Sequence, residues 1–159
     1  MYPRLWRFCL ALTGSKDDAG EVAQATVVRA LERANQYEAG THLDRWLFVM
    51  ARRIWLNELR RAKMREGRGL VPAEDAPLLG NHDDSETNIF VREVLSEMTR
   101  LPEAQRETVF LVYVEGFAYK EAAEMLEIPI GTVMSRLAAA RKRLNERLME
   151  PPSEQKDHG

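Results

Sequence analysis

Apolar residues in the first sixty positions recur at steps of three and four, the period of a helix with one buried face. Leu5, Phe8, Cys9 and Leu12 define a first helix, and Thr13-Gly14-Ser15 breaks the pattern. Arg4 and Arg7 interrupt its apolar side and no small-residue cleavage pattern follows, so it reads as an amphipathic helix and not a signal peptide. Ser15 or Asp17 can cap a second helix, in which Val22, Ala25, Thr26, Arg29 and Ala30 carry the period to roughly Ala34. Tyr37 to Thr41 reads as a loop, with Thr41 the expected cap of a long third helix. The expected buried stripe of that helix is Leu43, Trp46, Leu47, Met50, Ile54 and Leu59.

The stretch from Lys63 to Ser85 holds Gly67, Gly69, Gly80, Pro72 and Pro77 and sustains no apolar period, the composition of a flexible linker. Helical spacing resumes from Ser85 to Thr99 through Ile89, Val91, Val94, Leu95 and Met98. Pro102 is expected at the first position of the next helix, which runs to about Val114 and stops at Glu115-Gly116. A second short helix turns Ala122, Ala123, Leu126 and Ile128 inward. A third, from Ile130 to about Leu148, lines one side with Ile130, Val133, Leu137, Ala140, Leu144 and Leu148. The expected fold class is all-α: two small helical domains, 1–65 and 86–149, joined by a flexible linker at 66–85, with 150–159 a disordered tail.

Two helices joined by a short turn, with small alanines where they cross, make a helix-turn-helix. Its last helix would present Thr132, Ser135, Arg136, Ala139 and Lys142 or Arg143 to a DNA groove. Arg136 is the expected base reader, because a guanidinium pairs bidentately with guanine. Lys142, Arg143 and Arg147 suit phosphates. A solvated basic face has the same composition, but the order of crossing alanines, turn and polar N-terminal face favours DNA.

Composition changes this picture only locally. The chain has 159 residues, 45% of them hydrophobic, and a net charge of −2; its mean hydropathy is −0.41. The charge is segregated. Arg45, Arg52, Arg53, Arg60, Arg61, Lys63, Arg65 and Arg68 crowd positions 41–68, where the acids are Asp44, Glu58 and Glu66, whereas positions 69–107 are acid-rich. Phosphate binding depends on such clustering and not on the sum. Trp46, Phe48 and Trp55 interleave with the arginines, a pattern suited to stacking single-stranded bases, although a core role for Trp46 and Trp55 competes with it, most strongly for Trp46. Asp18, Glu21 and Gln24 form an acidic strip on the second helix, either solvated or a protein-docking face. The lone Cys9 and the lack of a long apolar run point to a reducing cytoplasm with no membrane insertion. His42, His82 and His158 are scattered without ligand spacing, so neither a metal, a cofactor nor an enzyme is expected.

Three stretches, LTGSKDDAGEVAQATVVRALE, YEAGTHLDRWLFVMARRIWLNELRR and LPEAQRETVFLVYVEGFAYKEAAEMLEIPIGTVMSRLAAARKRL, resemble regions 2 and 4 of bacterial sigma-70 family factors of the extracytoplasmic-function (ECF) group. The resemblance implies a transcription initiation factor of a stress or signal-responsive regulon. Core RNA polymerase would dock on Asp18, Glu21 and Gln24. Tyr37, Glu38, His42, Arg45, Trp46, Arg52, Arg53, Asn57, Arg60 and Arg61 would hold the −10 strand with a flipped base. Thr132, Ser135, Arg136, Lys142 and Arg143 would meet the −35 element. An anti-sigma protein is an implied further partner.

The sequence departs from that pattern at several places. Ala25 stands where an acid is usual, Arg53 and Asn57 where Asn and Asp are frequent, and Met134, Ala138 and Ala139 where basic residues or His are common. Glu127 occupies a turn position usual for Gly, and the family carries further residues ahead of the first matching helix, implying a late or misassigned start. A sigma-like decoy, binding a regulatory protein in place of promoter DNA, fits Ala25 and the weakened last helix. Retention of Arg52, Arg53, Arg60, Arg61 and Arg136 speaks against it. A plain helix-turn-helix repressor leaves the first 62 residues unexplained.

Overall fold

The computed structural model describes residues 1–66 and 86–149, and among them every regular element is helical. The expected linker and tail lie outside the described residues, apart from Glu66. Two of the expected break points are built as the chemistry requires. Helix α1 (Tyr2–Thr13) ends at Gly14, whose φ of 72° closes the helix with an amide bond to Leu10. Ser15 then caps α2 (Lys16–Glu32), its hydroxyl accepting from the Asp18 amide. A short 3₁₀ turn, Ala34–Gln36, follows at the expected end of the helix near Ala34.

Helix α3 spans Leu43–Glu66, about 36 Å at 1.5 Å per residue. Thr41 does not cap it. Its hydroxyl instead donates to the Glu38 carbonyl and ties the loop to itself, while the first helical bond runs from the Trp46 amide to His42. Leu47, Met50 and Ile54 are buried as expected, but Leu43 is exposed.

Helix α4 spans Glu86–Thr99, and Met98 and Val94 pack inward from it. Pro102 sits just ahead of α5 (Glu103–Val109), which widens into a π-helical turn over Phe110–Val114 before Gly116 reverses the chain at φ 78°. Glu121 reaches back to the Ala118 amide to start α6 (Tyr119–Leu126). Glu127 then turns the chain into α7 (Ile130–Met149) in left-handed geometry, with φ 55°. It is the sole non-glycine residue with positive φ among the described residues.

The N-terminal core is α1, α2 and α3 closed around Phe8 stacked on Phe48 at 4.6 Å. A smaller core joins Met98, Leu101, Val109 and Ala123 to Val133, Leu137 and Ala140 of α7. Ile130, expected on that face, is exposed instead, because it begins the helix beyond the edge of α6.

The two units do not stand apart. Phe110, Leu111, Ala122, Met125 and Leu126 belong to the same buried cluster as Phe8, Phe48 and Trp55. Phe110 lies 6.0 Å from Phe8, and Phe117 meets Phe48 edge-on at 6.3 Å. Burying one side chain of this size contributes ~1.5–3 kcal/mol, whereas an exposed ion pair gives ~0–1 kcal/mol. The shared core therefore dominates the energy of closure.

Candidate nucleic-acid interface

The loop ahead of α3 is small and well tied. The Tyr37 hydroxyl donates to the Thr41 carbonyl at 2.7 Å, and its ring rests 5.2 Å from that of Trp46. Both rings are half-buried, whereas Glu38 and His42 are exposed. The two rings border an apolar cleft of about 300 Å³ whose walls include Leu5, Val27, Leu31 and Leu47. Phe48 and Trp55 are not available for stacking on bases. Phe48 is fully buried, and Trp55 is buried with its indole N–H donating to Glu103 at 3.0 Å, because the C-terminal helices cover that side of α3.

The arginines of α3 divide by what they face. Asn57, Arg60 and Arg61 lie on exposed surface. Arg52 is mostly buried and forks onto Glu107, Nε to Oε2 at 3.1 Å and Nη2 to Oε1 at 3.4 Å. Arg53 pairs with Glu127 at 3.0 Å, and Arg45 pairs with Glu124. Each carboxylate comes from the C-terminal unit. Arg4 of α1 adds a fourth tie, bridging Glu115 to Asp44 at the start of α3.

In the helix-turn-helix, Ser135 is exposed but its hydroxyl donates to the Gly131 carbonyl one turn back. Thr132 is half-buried, and Lys142 and Arg143 are exposed beside Arg147 around an open hollow on α7. Arg136 turns toward Glu107, 3.6 Å away, without a hydrogen bond. One buried carboxylate thus lies between Arg52 and Arg136, which come from the two units. Burial pushes the Glu107 carboxyl above the ordinary carboxylate range, and Arg52 draws it only part of the way back. Pairing there does not fully offset the loss of water, so the contact gives position more than strength.

On α2, Asp18 is half-buried while Glu21, Gln24 and Ala25 are exposed, so the acidic strip faces solvent. Sequence reasoning missed the acidic partners Glu103, Glu107, Glu115 and Glu124. Glu103 and Glu107 are one helical turn apart in the acid-rich stretch, the one signal that could have marked an acidic face. It also missed Arg106, which donates to Ala11 and Leu12 at the end of α1. Among the described residues no group of three or more His, Cys, Asp or Glu is placed to hold a metal ion, and no helix is long and apolar enough to cross a membrane.

The Sigma-70 region 2 family matches residues 1–65 and the Sigma-70, region 4 family residues 92–144. The chain is 30% identical over 145 residues to the ECF RNA polymerase sigma factor EcfG of Rhodopseudomonas palustris, covering 90% of this chain and 78% of that protein. It is 32% identical over 142 residues to the ECF RNA polymerase sigma factor SigM of Mycobacterium tuberculosis, covering 89% and 69%. SigE of Mycolicibacterium smegmatis is 29% identical over 157 residues, 95% of this chain but 60% of that longer protein. The solved structure of the sigma factor RpoE in complex with the anti-sigma factor NepR from Bartonella quintana superposes with a TM-score of 0.74 at 26% identity, over 92% of this chain and 91% of that one. That overlap spans both helical units. With two family regions in the expected order and relatives matched along most of its length, the chain belongs to the sigma-70 family of RNA polymerase sigma factors, in the ECF group.

Proposed function

We propose that this chain recruits core RNA polymerase to promoters, reading a −10 element with region 2 and a −35 element with region 4. The observation that carries this reading is the Tyr37–Trp46 pair. Two half-buried rings stand beside a tied loop and an apolar cleft, at the head of a cationic helix. Such a site offers a stacking surface to an unpaired base and cations to its strand. Tyr37, Glu38, His42 and Trp46 would take the base. Arg45, Arg52, Arg53, Asn57, Arg60 and Arg61 would hold the strand. Thr132, Ser135 and Arg136 would enter the −35 groove, with Lys142 and Arg143 on phosphates. Asp18, Glu21 and Gln24 would dock on the polymerase. The likeness to a factor solved with an anti-sigma protein supports a regulatory protein as a further partner.

A second reading, a decoy that binds such a protein and not DNA, is favoured by the carboxylates facing Arg45, Arg52, Arg53 and Arg136. Run-off transcription from linear genomic fragments, with core polymerase and with or without this chain, separates the two. Discrete new transcripts sharing a −10 motif support the initiation factor. Absence of both transcripts and core binding puts the decoy first.

A further inference from the structure

We infer that Met134 is the specificity-determining residue of α7, and that region 4 recognises A·T pairs of the −35 element by covering the thymine methyl group. The inference rests on the −35 reading above and names what that reading recognises.

The half of α7 that would enter a groove carries no free cation. Its exposed residues are Ile130, Gly131, Met134, Ser135 and Ala138. The one charged residue among positions 130–138 is Arg136, whose side chain is only 23% exposed and faces Glu107 at 3.6 Å. Both residues belong to region 4, so this contact does not depend on how the two regions sit. The exposed cations Arg141, Lys142 and Arg143 come further along the helix. They suit phosphates, because the N-terminal residues of a recognition helix are the ones that reach base edges.

Met134 is the large side chain left for that work, and it is 48% exposed. Ile130 and Ala138 stand on the same face, each one turn or about 6 Å away. Such a strip cannot hydrogen-bond a base edge. It can cover the C5-methyl group, which thymine alone among the four bases projects into the major groove. An unbranched thioether also adapts its shape to the position of that methyl, which a β-branched side chain does not.

Ser135 narrows the choice further. Its hydroxyl proton is donated to the Gly131 carbonyl at 2.9 Å, which leaves Oγ as an acceptor. Adenine N6 and cytosine N4 present donors in the major groove, whereas guanine presents the acceptors N7 and O6. The A·T pair is the one that offers an amine and a methyl together. Two adjacent side chains therefore select the same pair.

The test uses the holoenzyme, core polymerase with the full chain, on a promoter recovered by run-off transcription. Each thymine of the −35 element, on either strand, is replaced singly by deoxyuridine, which removes the methyl and leaves base pairing intact. Affinity is read by competition against the unmodified promoter. Covering one methyl is worth about fourfold in affinity, so uracil at one or two positions is expected to weaken binding by about that factor. Changing such a pair to G·C should weaken binding further, and 5-methylcytosine in that pair should recover about fourfold. Met134→Ala should bind thymine and uracil promoters equally, whereas Met134→Leu, which keeps the apolar reach, should still tell them apart. Each comparison is a ratio within one variant, so a general loss of binding cancels from it.

Unchanged affinity with uracil at every −35 thymine overturns the inference even where the −35 element itself matters. A uracil effect that survives in Met134→Ala overturns it as well. Holoenzyme binding that ignores a scrambled −35 element removes the −35 reading, and this inference falls with it.

Discussion

Arg106 provides a direct measure of whether the two regions pack together in solution. Its guanidinium serves four carbonyls, two in each region. Nε donates to Ala11 and Nη2 to Leu12 at 3.4 Å, where α1 ends, while Nη1 donates to Leu101 at 3.3 Å and Thr99 at 3.4 Å. The α1 carbonyls are the negative end of a helix dipole, which favours a cation there. Burial lowers the Arg106 pKa, the direction expected for a cation taken out of water. A hydrogen bond to a charged group contributes ~1.5–3 kcal/mol, and the three bonds beyond 3.2 Å belong at or below the bottom of that range. Arg106→Ala is therefore expected to cost about 3 kcal/mol, a fall of roughly 6–12 °C in Tm for a chain of this size. Arg106→Lys keeps the charge without the planar fork and should lose about half as much.

The neighbouring glycine turns this into a test of packing. A Cβ on Gly14 would stand 3.0 Å from Arg106 Nη2, and its φ of 72° strains any side chain. Gly14→Ala should cost ~1–2 kcal/mol of backbone strain plus a clash that disappears once Arg106 is Ala. Urea titrations of the two single variants and the double variant, followed by circular dichroism, give the coupling directly. A coupling of ~0.5 kcal/mol or more is expected for groups in contact. Additive costs would mean that α1 and α5 are apart in solution, and the closed arrangement would fall with them.

Other expectations follow from single groups. Burial pushes the Cys9 thiol up to about 12, so it stays uncharged and should ignore Ellman's reagent at neutral pH until urea is added; rapid reaction of the native chain refutes this. Stability from keeping that thiol neutral is present below its ordinary 9.0 and lost as pH rises toward 12. Asp44 behaves oppositely. Burial raises its carboxyl, but the Arg45 amide and Arg4 outweigh that and leave it below its ordinary 3.8. Its contribution is therefore present above 3.8 and lost as pH falls further, so Asp44→Asn should flatten the acid limb of the stability curve, and parallel curves would refute the pairing. Glu127→Gly relieves ~1–2 kcal/mol of left-handed strain, against ~0.4–1 kcal/mol for glycine's freedom when unfolded and a small exposed pair with Arg53. The unfolding free energy from urea titration should hold or rise by up to about 1 kcal/mol, and a clear loss would refute the strain.

The helices were legible because their signals are local. Gly14 and Ser15 end one helix and start the next within two residues, and Ala122 with Ala123 marks the crossing of a helix-turn-helix. Glu127 was legible as a misfit, since its turn demands the backbone that glycine adopts freely. What could not be read was pairing at long range. Phe48 looked like a stacking platform, and Trp55 was open between platform and core, because nothing in α3 says that helices 48 or more positions away will cover them. Arg52 and Glu107 are 55 positions apart, and no spacing rule links them. Thr41 failed as a cap for a smaller reason: two local acceptors competed for one hydroxyl, and the loop carbonyl of Glu38 won.

The division of labour at the contact between the regions limits what can open it. DNA competes only for the arginines, and the pairs at Arg45 and Arg53 are exposed enough to yield to it in ordinary salt. The apolar part, where Phe110, Leu111, Met125 and Leu126 meet the core of region 2, offers nothing to a phosphate backbone. Opening exposes those side chains, and only a surface that covers apolar groups offsets that cost. A strand alone should therefore leave the chain largely closed, whereas a protein that first docks on the open face of α2 and then receives the separated regions can supply both parts. On the proposed reading the expected order is polymerase before promoter, with the free chain a poor ligand for DNA and the holoenzyme a good one. Energy transfer between dyes on Asn35→Cys and Asn145→Cys, both exposed, should stay high with single-stranded DNA alone and fall on adding core polymerase. A fall with DNA alone would show that the ionic pairs, and not the shared core, hold the regions together.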